Sequence, residues 1–157
     1  MSILESLHDL CVSKGVSVAV AESCTSGLIA SKLTLKSGSS TFFKGGIIAY
    51  QNAIKIKILG VDEQAILQYT EVSAEVVKQM AEGVRKSFLA DYSIATSGYA
   101  GPSGGTNNNP IGTVFIAISS ASGVDVERFI FSGDRQVIVS QASEKSLSLL
   151  YDAIKKH

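Results

Sequence analysis

Val16-Ser17-Val18-Ala19-Val20-Ala21 runs directly into Glu22-Ser23-Cys24-Thr25-Ser26-Gly27, and Leu28, Ile29, Leu33 and Leu35 follow. The first six residues are β-branched or small and read as a strand. The apolar positions after Gly27 suit the buried face of a helix. A polar hexapeptide therefore lies where a strand ends and a helix begins, which is where an α/β sheet places its ligands if the strand is parallel to its neighbours.

Working outward, Leu4, Leu7, Leu10 and Cys11 recur at helical spacing after Ser2, with Glu5 completing a capping-box pattern and Gly15 as a stop. Downstream, Lys44 to Tyr50 reads as a second strand entered through Gly45-Gly46, and Asn52 to Leu59 as a short helix ended by Gly60. Asp62 is placed to cap a short helix through Tyr69, and Ser73 a longer one whose face carries Val76, Val77, Met80, Val84 and Phe88. Tyr92 to Thr96 is a third strand. Gly112 to Ser119 and Val124 to Phe131 are β-rich runs joined by a short polar connection, which suggests a hairpin. Asp134 to Lys156 is a final helix with Leu147, Leu150, Tyr151 and Ile154 on its apolar side. Helices and strands alternate first and a hairpin comes late. The expectation is one α/β domain over residues 1–157, with helices on both faces of a mixed sheet.

Composition narrows the function. A chain of 157 residues can bury roughly 70% of its unfolded surface, so it needs neither disulfides nor metals to be stable. Fourteen Lys and Arg balance fourteen Asp and Glu, which gives no electrostatic footprint for nucleic acid or an anionic membrane. Cys11 and Cys24 lack CxxC spacing or a His-rich neighbour, so no zinc site is expected. The N-terminus has neither a basic segment nor a continuous apolar one, and the expected location is cytoplasmic. Between Asp91 and Asp125 there is no charged residue, yet six of the fourteen glycines and both prolines fall there.

Several residues could carry chemistry. Ser23, just before a helix, would meet free N–H groups and the positive end of the helix dipole, a setting for a nucleophile whose attack creates an oxyanion. The alternative is that Ser23, Thr25 or Ser26 caps the helix. Cys24 competes as nucleophile, but neither His8 nor His157 belongs to this junction, which leaves it without a base. The same scarcity of histidine argues against a Ser-His-Asp triad and turns attention to lysine. Lys55, between Ile54 and Ile56, could have the lowered pKa that a lysine base needs; a solvated helix lysine is the alternative. Gly98, Gly101, Gly104 and Gly105 with Pro102 form a loop that fits neither the Rossmann nor the P-loop pattern, but it could admit a ligand closely. Arg135 could serve a phosphate or carboxylate, or form a surface ion pair.

Taken together, Ala21 to Gly27, Gly38-Ser39-Ser40, Gly45 to Asn52, Leu59-Gly60-Val61, Val72-Ser73, Gly98 to Gly105, Pro110 to Val114 and Phe131 to Arg135 resemble the C-terminal domain family of the competence/damage-inducible protein CinA. The resemblance implies a three-layer α/β/α fold with a mixed, mostly parallel sheet. It also implies hydrolysis of the carboxamide of nicotinamide mononucleotide to nicotinate mononucleotide and ammonia, without cofactor or metal. On this resemblance Ser23 is the nucleophile, and Tyr50 and Lys55 match the pattern Ala-Tyr-x-Asn-x-x-Lys; the rival Lys57 does not. Cys24, Thr25, Ser26 and Gly27 would supply oxyanion donors, while Gly98, Ala100, Gly101, Gly104, Gly105 and Arg135 would contact the nucleotide. The implied partners are a small pyridine mononucleotide and further copies of the chain in a dimer or larger assembly, not nucleic acid or membrane. Other readings are a non-catalytic pyridine-nucleotide-binding module, or an amidohydrolase for another small carboxamide. The sequence departs from the family pattern at Ser26, where a second Gly is usual, at Ser103, where Asp is usual, and at Asn107-Asn108-Asn109, which replaces a more charged segment.

Overall fold

A computed structural model describes residues 1–157. In chain order the elements are α1 (Ile3–Lys14), β1 (Val18–Glu22), α2 (Leu28–Leu33), β2 (Phe43–Ile48), α3 (Asn52–Leu59), α4 (Glu63–Tyr69), α5 (Ala74–Phe88), β3 (Tyr92–Gly98), β4 (Thr113–Ser120), β5 (Gly123–Ile130) and α6 (Arg135–Lys156). A single 3-10 turn spans Ser39–Thr41. The local signals act where expected. Ser2 Oγ accepts the Glu5 N–H while the Glu5 carboxylate accepts the Ser2 N–H. Asp62, Ser73 and Asp134 cap α4, α5 and α6 through their side chains. Helix α2 is shorter than its apolar pattern suggested: it stops at Leu33, so Leu35 lies outside it and is 70% exposed.

The five strands lie in the order β2-β1-β3-β4-β5. Strand β1 pairs parallel with both β2 and β3, whereas β4 pairs antiparallel with β3 and with β5. The sheet is mixed as expected, but its pairings divide evenly and are not mostly parallel. The cause is the segment after Gly98, which contains no helix to carry the chain over a face of the sheet. Instead it doubles back, placing Val114 opposite Gly98, and the β4–β5 hairpin extends that reversal.

Alternation along the strands builds two cores. Val18, Val20, Ile94 and Ile116 face α1, α2 and α6, meeting Leu7, Ile29, Leu147, Leu150 and Ile154. Ala19, Ala21, Ala95 and Ala117 face the other way, onto Val76, Val77, Met80 and Val84 of α5. The small side chains on this second face leave room for α5 to lie close to the sheet. Gly83 continues the theme on the far side of α5, where a Cβ would stand 1.9 Å from the carbonyl oxygen of Leu59. Gly83 thus lets α3 seat directly on α5. Gly83→Ala is expected to cost about 2–3 kcal/mol, since a backbone atom must move to make room; chemical denaturation checks this. Because α3 carries Lys55, the same substitution should also disturb the cavity that Lys55 borders.

Candidate functional site

The C-terminal ends of the three parallel strands and the first turn of α6 surround one cavity of about 270 Å³. Its wall includes Ser23 and Cys24 after β1, Tyr50, Asn52 and Lys55 after β2, Glu71 and Val72 after α4, Ser97 and Gly98 at the end of β3, Tyr99 to Gly101 and Ser103 just after it, and Arg135 at the start of α6. Parallel pairing of β1 with β3, which aligns Glu22 with Thr96, brings the polar hexapeptide and the glycine loop to one sheet edge.

The hexapeptide is organised by Glu22. Its buried carboxylate accepts the N–H groups of Ile29 at 3.0 Å and Ala30 at 2.9 Å, serving the free donors at the start of α2 from the end of the preceding strand. The helix has no side-chain cap of its own. The capping role left open for Ser23, Thr25 and Ser26 is therefore filled by another residue, and Ser23 stays on the cavity wall. Thr25 faces away, its buried hydroxyl hydrogen-bonded to that of Thr96 at 2.8 Å. Ser26 and Gly27 both have positive φ, 51° and 97°, in the turn that leads to α2. Neither lines the cavity. Ser26 thus holds a conformation that glycine would adopt without strain, in keeping with the residue usual at that position.

Lys55 is 1% exposed, and its ammonium group donates to the backbone carbonyl of Tyr50 at 3.2 Å. It is not the solvated helix lysine that sequence alone allowed. Burial lowers its pKa below the ordinary value near 10.5, against an opposing pull from the Glu71 carboxylate and, more weakly, from Cys24. Burial pushes the Cys24 thiol up to about 12, so it stays protonated and a poor nucleophile near neutral pH. Tyr50 is half-exposed at the cavity mouth. Its hydroxyl accepts from Arg135 Nη2 at 2.7 Å, while Arg135 Nη1 donates to the Gly101 carbonyl at 2.7 Å. One guanidinium group therefore ties the exit of β2 to the glycine loop.

Of the loop residues, Gly98, Ala100 and Gly101 line the cavity, whereas Gly104 and Gly105 do not. Gly104 lies against the Tyr99 ring and Gly105 against the backbone at Ile111, so these two let the loop fold on itself. The N–H groups of Cys24, Ala100, Gly101 and Ser103 make no hydrogen bond to another main-chain group. All four residues border the cavity, which offers an anion a set of donors that need not be stripped from other partners. Asn52, Glu71, Val72 and Ser97 also stand on the wall, and none of them is among the residues expected there from sequence. Asn52 lay within a quoted pattern and could have been singled out. Glu71 carried no local signal: it lies in the loop between α4 and α5, and only the packing of α4 on α5 takes it to the cavity, where Ser97 Oγ fastens its carbonyl at 2.7 Å.

No group of three or more His, Cys, Asp or Glu side chains stands together to hold a metal ion, and no helix is long and apolar enough to cross a membrane. The family model described as the CinA C-terminal domain matches residues 1–154. A CinA-like protein of Flavobacterium psychrophilum is 40% identical over 151 residues, 96% of this chain and 36% of that protein. A CinA-like protein of Fervidobacterium nodosum is 41% identical over 150 residues, with the same shares. The chain thus spans about a third of the length of these relatives. Among solved structures, a competence or damage-inducible protein from Enterobacter asburiae superposes with a TM-score of 0.93 at 34% identity, over 97% of this chain and 96% of that one. A CinA superfamily protein from Klebsiella pneumoniae gives 0.93 at 28% identity over the full length of both.

Proposed function

The chain belongs to the CinA C-terminal domain family, and on that premise we propose that it is an amidohydrolase converting nicotinamide mononucleotide to nicotinate mononucleotide and ammonia. The observation that carries this reading is a fully buried lysine sharing one small cavity with a serine that caps no helix. Buried amines are scarce in proteins because charge is costly to desolvate. A lysine kept there in its neutral form is a base.

In the proposed reaction the neutral Lys55 amine removes the Ser23 proton as Oγ attacks the carboxamide carbon. The carbonyl oxygen becomes an oxyanion, met by the N–H of Cys24, a contact of the kind worth about 3 kcal/mol. Lys55 then returns the proton to the leaving nitrogen, the C–N bond breaks, and ammonia departs. Water attacks the resulting ester with Lys55 again as base, which releases the carboxylate and restores Ser23. Tyr50 holds Lys55 through its carbonyl and Arg135 through its hydroxyl. Arg135 and the N–H groups of Ala100, Gly101 and Ser103 suit the phosphate.

An ammonia-release assay over nicotinamide mononucleotide, nicotinamide riboside and nicotinamide tests the reading. The mononucleotide should be turned over, and the riboside should have a kcat/KM about 10–100-fold lower for want of the charge-assisted contacts to phosphate. Absence of ammonia from all three would overturn the amidase reading. Equal rates on mononucleotide and riboside would overturn the phosphate assignment.

A further inference from the structure

Glu71 is the one acidic side chain on the cavity wall. It is half-buried and makes no ion pair: the only two in the molecule are Lys32–Glu144 and Lys36–Asp9, both remote from the site. Nor does its carboxylate serve as a cap or a turn-former; the loop is held instead through main-chain groups. Ser73 Oγ donates to the Thr70 carbonyl, Thr70 Oγ1 to the Val72 carbonyl, and Ser97 Oγ to the Glu71 carbonyl. The residue before it, Thr70, has φ 70° and ψ 167°, a conformation nearly confined to glycine. Strained backbone, three side-chain ties and an unpartnered carboxylate converge on one cavity position.

Neither Lys55 nor Arg135, the two basic side chains of the wall, forms an ion pair with this carboxylate, which leaves it available to a cation. Arg135 donates instead to the Tyr50 hydroxyl and the Gly101 carbonyl, which leaves further N–H groups of the guanidinium for an anion. The missing partner would be a cation brought in by the ligand. Nicotinamide mononucleotide has one: its ring nitrogen, bonded to ribose, makes the ring a pyridinium, while its phosphate is an anion. The cavity wall carries both signs: Glu71, close enough to Lys55 and Tyr99 to act on them electrostatically, and Arg135 with the free N–H groups. Resting on the amidase reading for the identity of the ligand, we infer that Glu71 is the specificity-determining residue that selects a positively charged ring. It pairs with the pyridinium in the bound substrate and disfavours the product, whose new carboxylate adds negative charge to the same ring.

The test compares nicotinamide mononucleotide with its 1,4-dihydro form, which keeps the outline, carboxamide and phosphate but has an uncharged ring. Affinities are read by calorimetry in the full chain carrying Ser23→Ala, so that no turnover intervenes, with and without Glu71→Gln. Glu71→Ala serves as a second variant, and thermal melting confirms that each is folded. With Glu71 present the cationic ring should bind about tenfold more tightly than the neutral one, the size of one charge pair in a partly aqueous site. In both variants the preference should vanish while affinity for the dihydro form stays within about twofold. Equal weakening of both ring forms, or no change in either, would overturn the inference. If the unmutated enzyme released no ammonia but the preference behaved as stated, the amidase reading would fall and the assignment of Glu71 would stand. Turnover together with an unmoved preference would do the reverse.

Discussion

Ser23→Ala should reduce ammonia release from nicotinamide mononucleotide by on the order of 10⁴-fold or more, with little change in stability or in affinity for the mononucleotide. The expectation follows from how little the Ser23 hydroxyl does for the fold. Helix α2 is capped by Glu22, and the buried hydroxyl at this junction that is committed to a structural bond belongs to Thr25. Ser23 itself is 8% exposed on the cavity wall, so alanine removes one oxygen and leaves its neighbours in place. Steady-state kinetics and a binding isotherm on one preparation separate the two effects. A variant within tenfold of the unmutated rate would exclude Ser23 as nucleophile. Cys24, its thiol protonated near neutral pH, would not substitute for it.

Lys55→Met should also abolish turnover, by about 10³-fold or more, and it should raise stability near neutral pH by about 1 kcal/mol because an apolar side chain of similar length replaces a buried amine. Burial depresses the folded-state pKa of Lys55 below 10.5, so between that lowered value and 10.5 the unfolded chain binds a proton that the folded chain has released. Stability of the unmutated protein therefore rises with pH across this window, and the advantage of the methionine variant should shrink over the same range. Activity follows the same titration: kcat/KM should climb as Lys55 loses its proton. The charged and titratable groups around Lys55 are Glu71, Cys24, Tyr99, Tyr50 and Arg135, and Glu71 pulls its pKa upward. In Glu71→Gln the rising limb should move to lower pH. Denaturation and rate profiles from pH 6 to 10.5 check both statements. A limb unmoved by either substitution would remove Lys55 from the role of base.

Much of the fold was legible because its signals are local. The capping box at Ser2 and Glu5, the caps at Asp62, Ser73 and Asp134, and the left-handed stops at Gly15 and Gly60 act within one helical turn, and each helix they bound lies where they placed it. The sheet was harder. Its parallel half followed from alternating strands and helices, but the even division between parallel and antiparallel pairs depended on the long helix-free turn after Gly98. Loop residues separated least well. Gly101 and Gly105 look alike in sequence and both have positive φ, yet one borders the cavity and the other packs on Ile111.

Sequence alone determined the strand-to-helix junction that presents Ser23, the helix that carries Lys55, and the membership of both in a pattern of ordered motifs. Each of these is written in residues a few positions apart, and short-range hydrogen bonds and side-chain periodicity suffice to realise it. Tertiary structure alone decided that Lys55 is buried, that Glu22 caps α2 and so leaves Ser23 on the cavity wall, that Thr25 turns to Thr96, and that Glu71 enters the cavity. The physical reason is the same in every case. A pKa, a free donor or an unpaired charge is set by what surrounds the group, and here those surroundings come from strands and loops far apart in the chain.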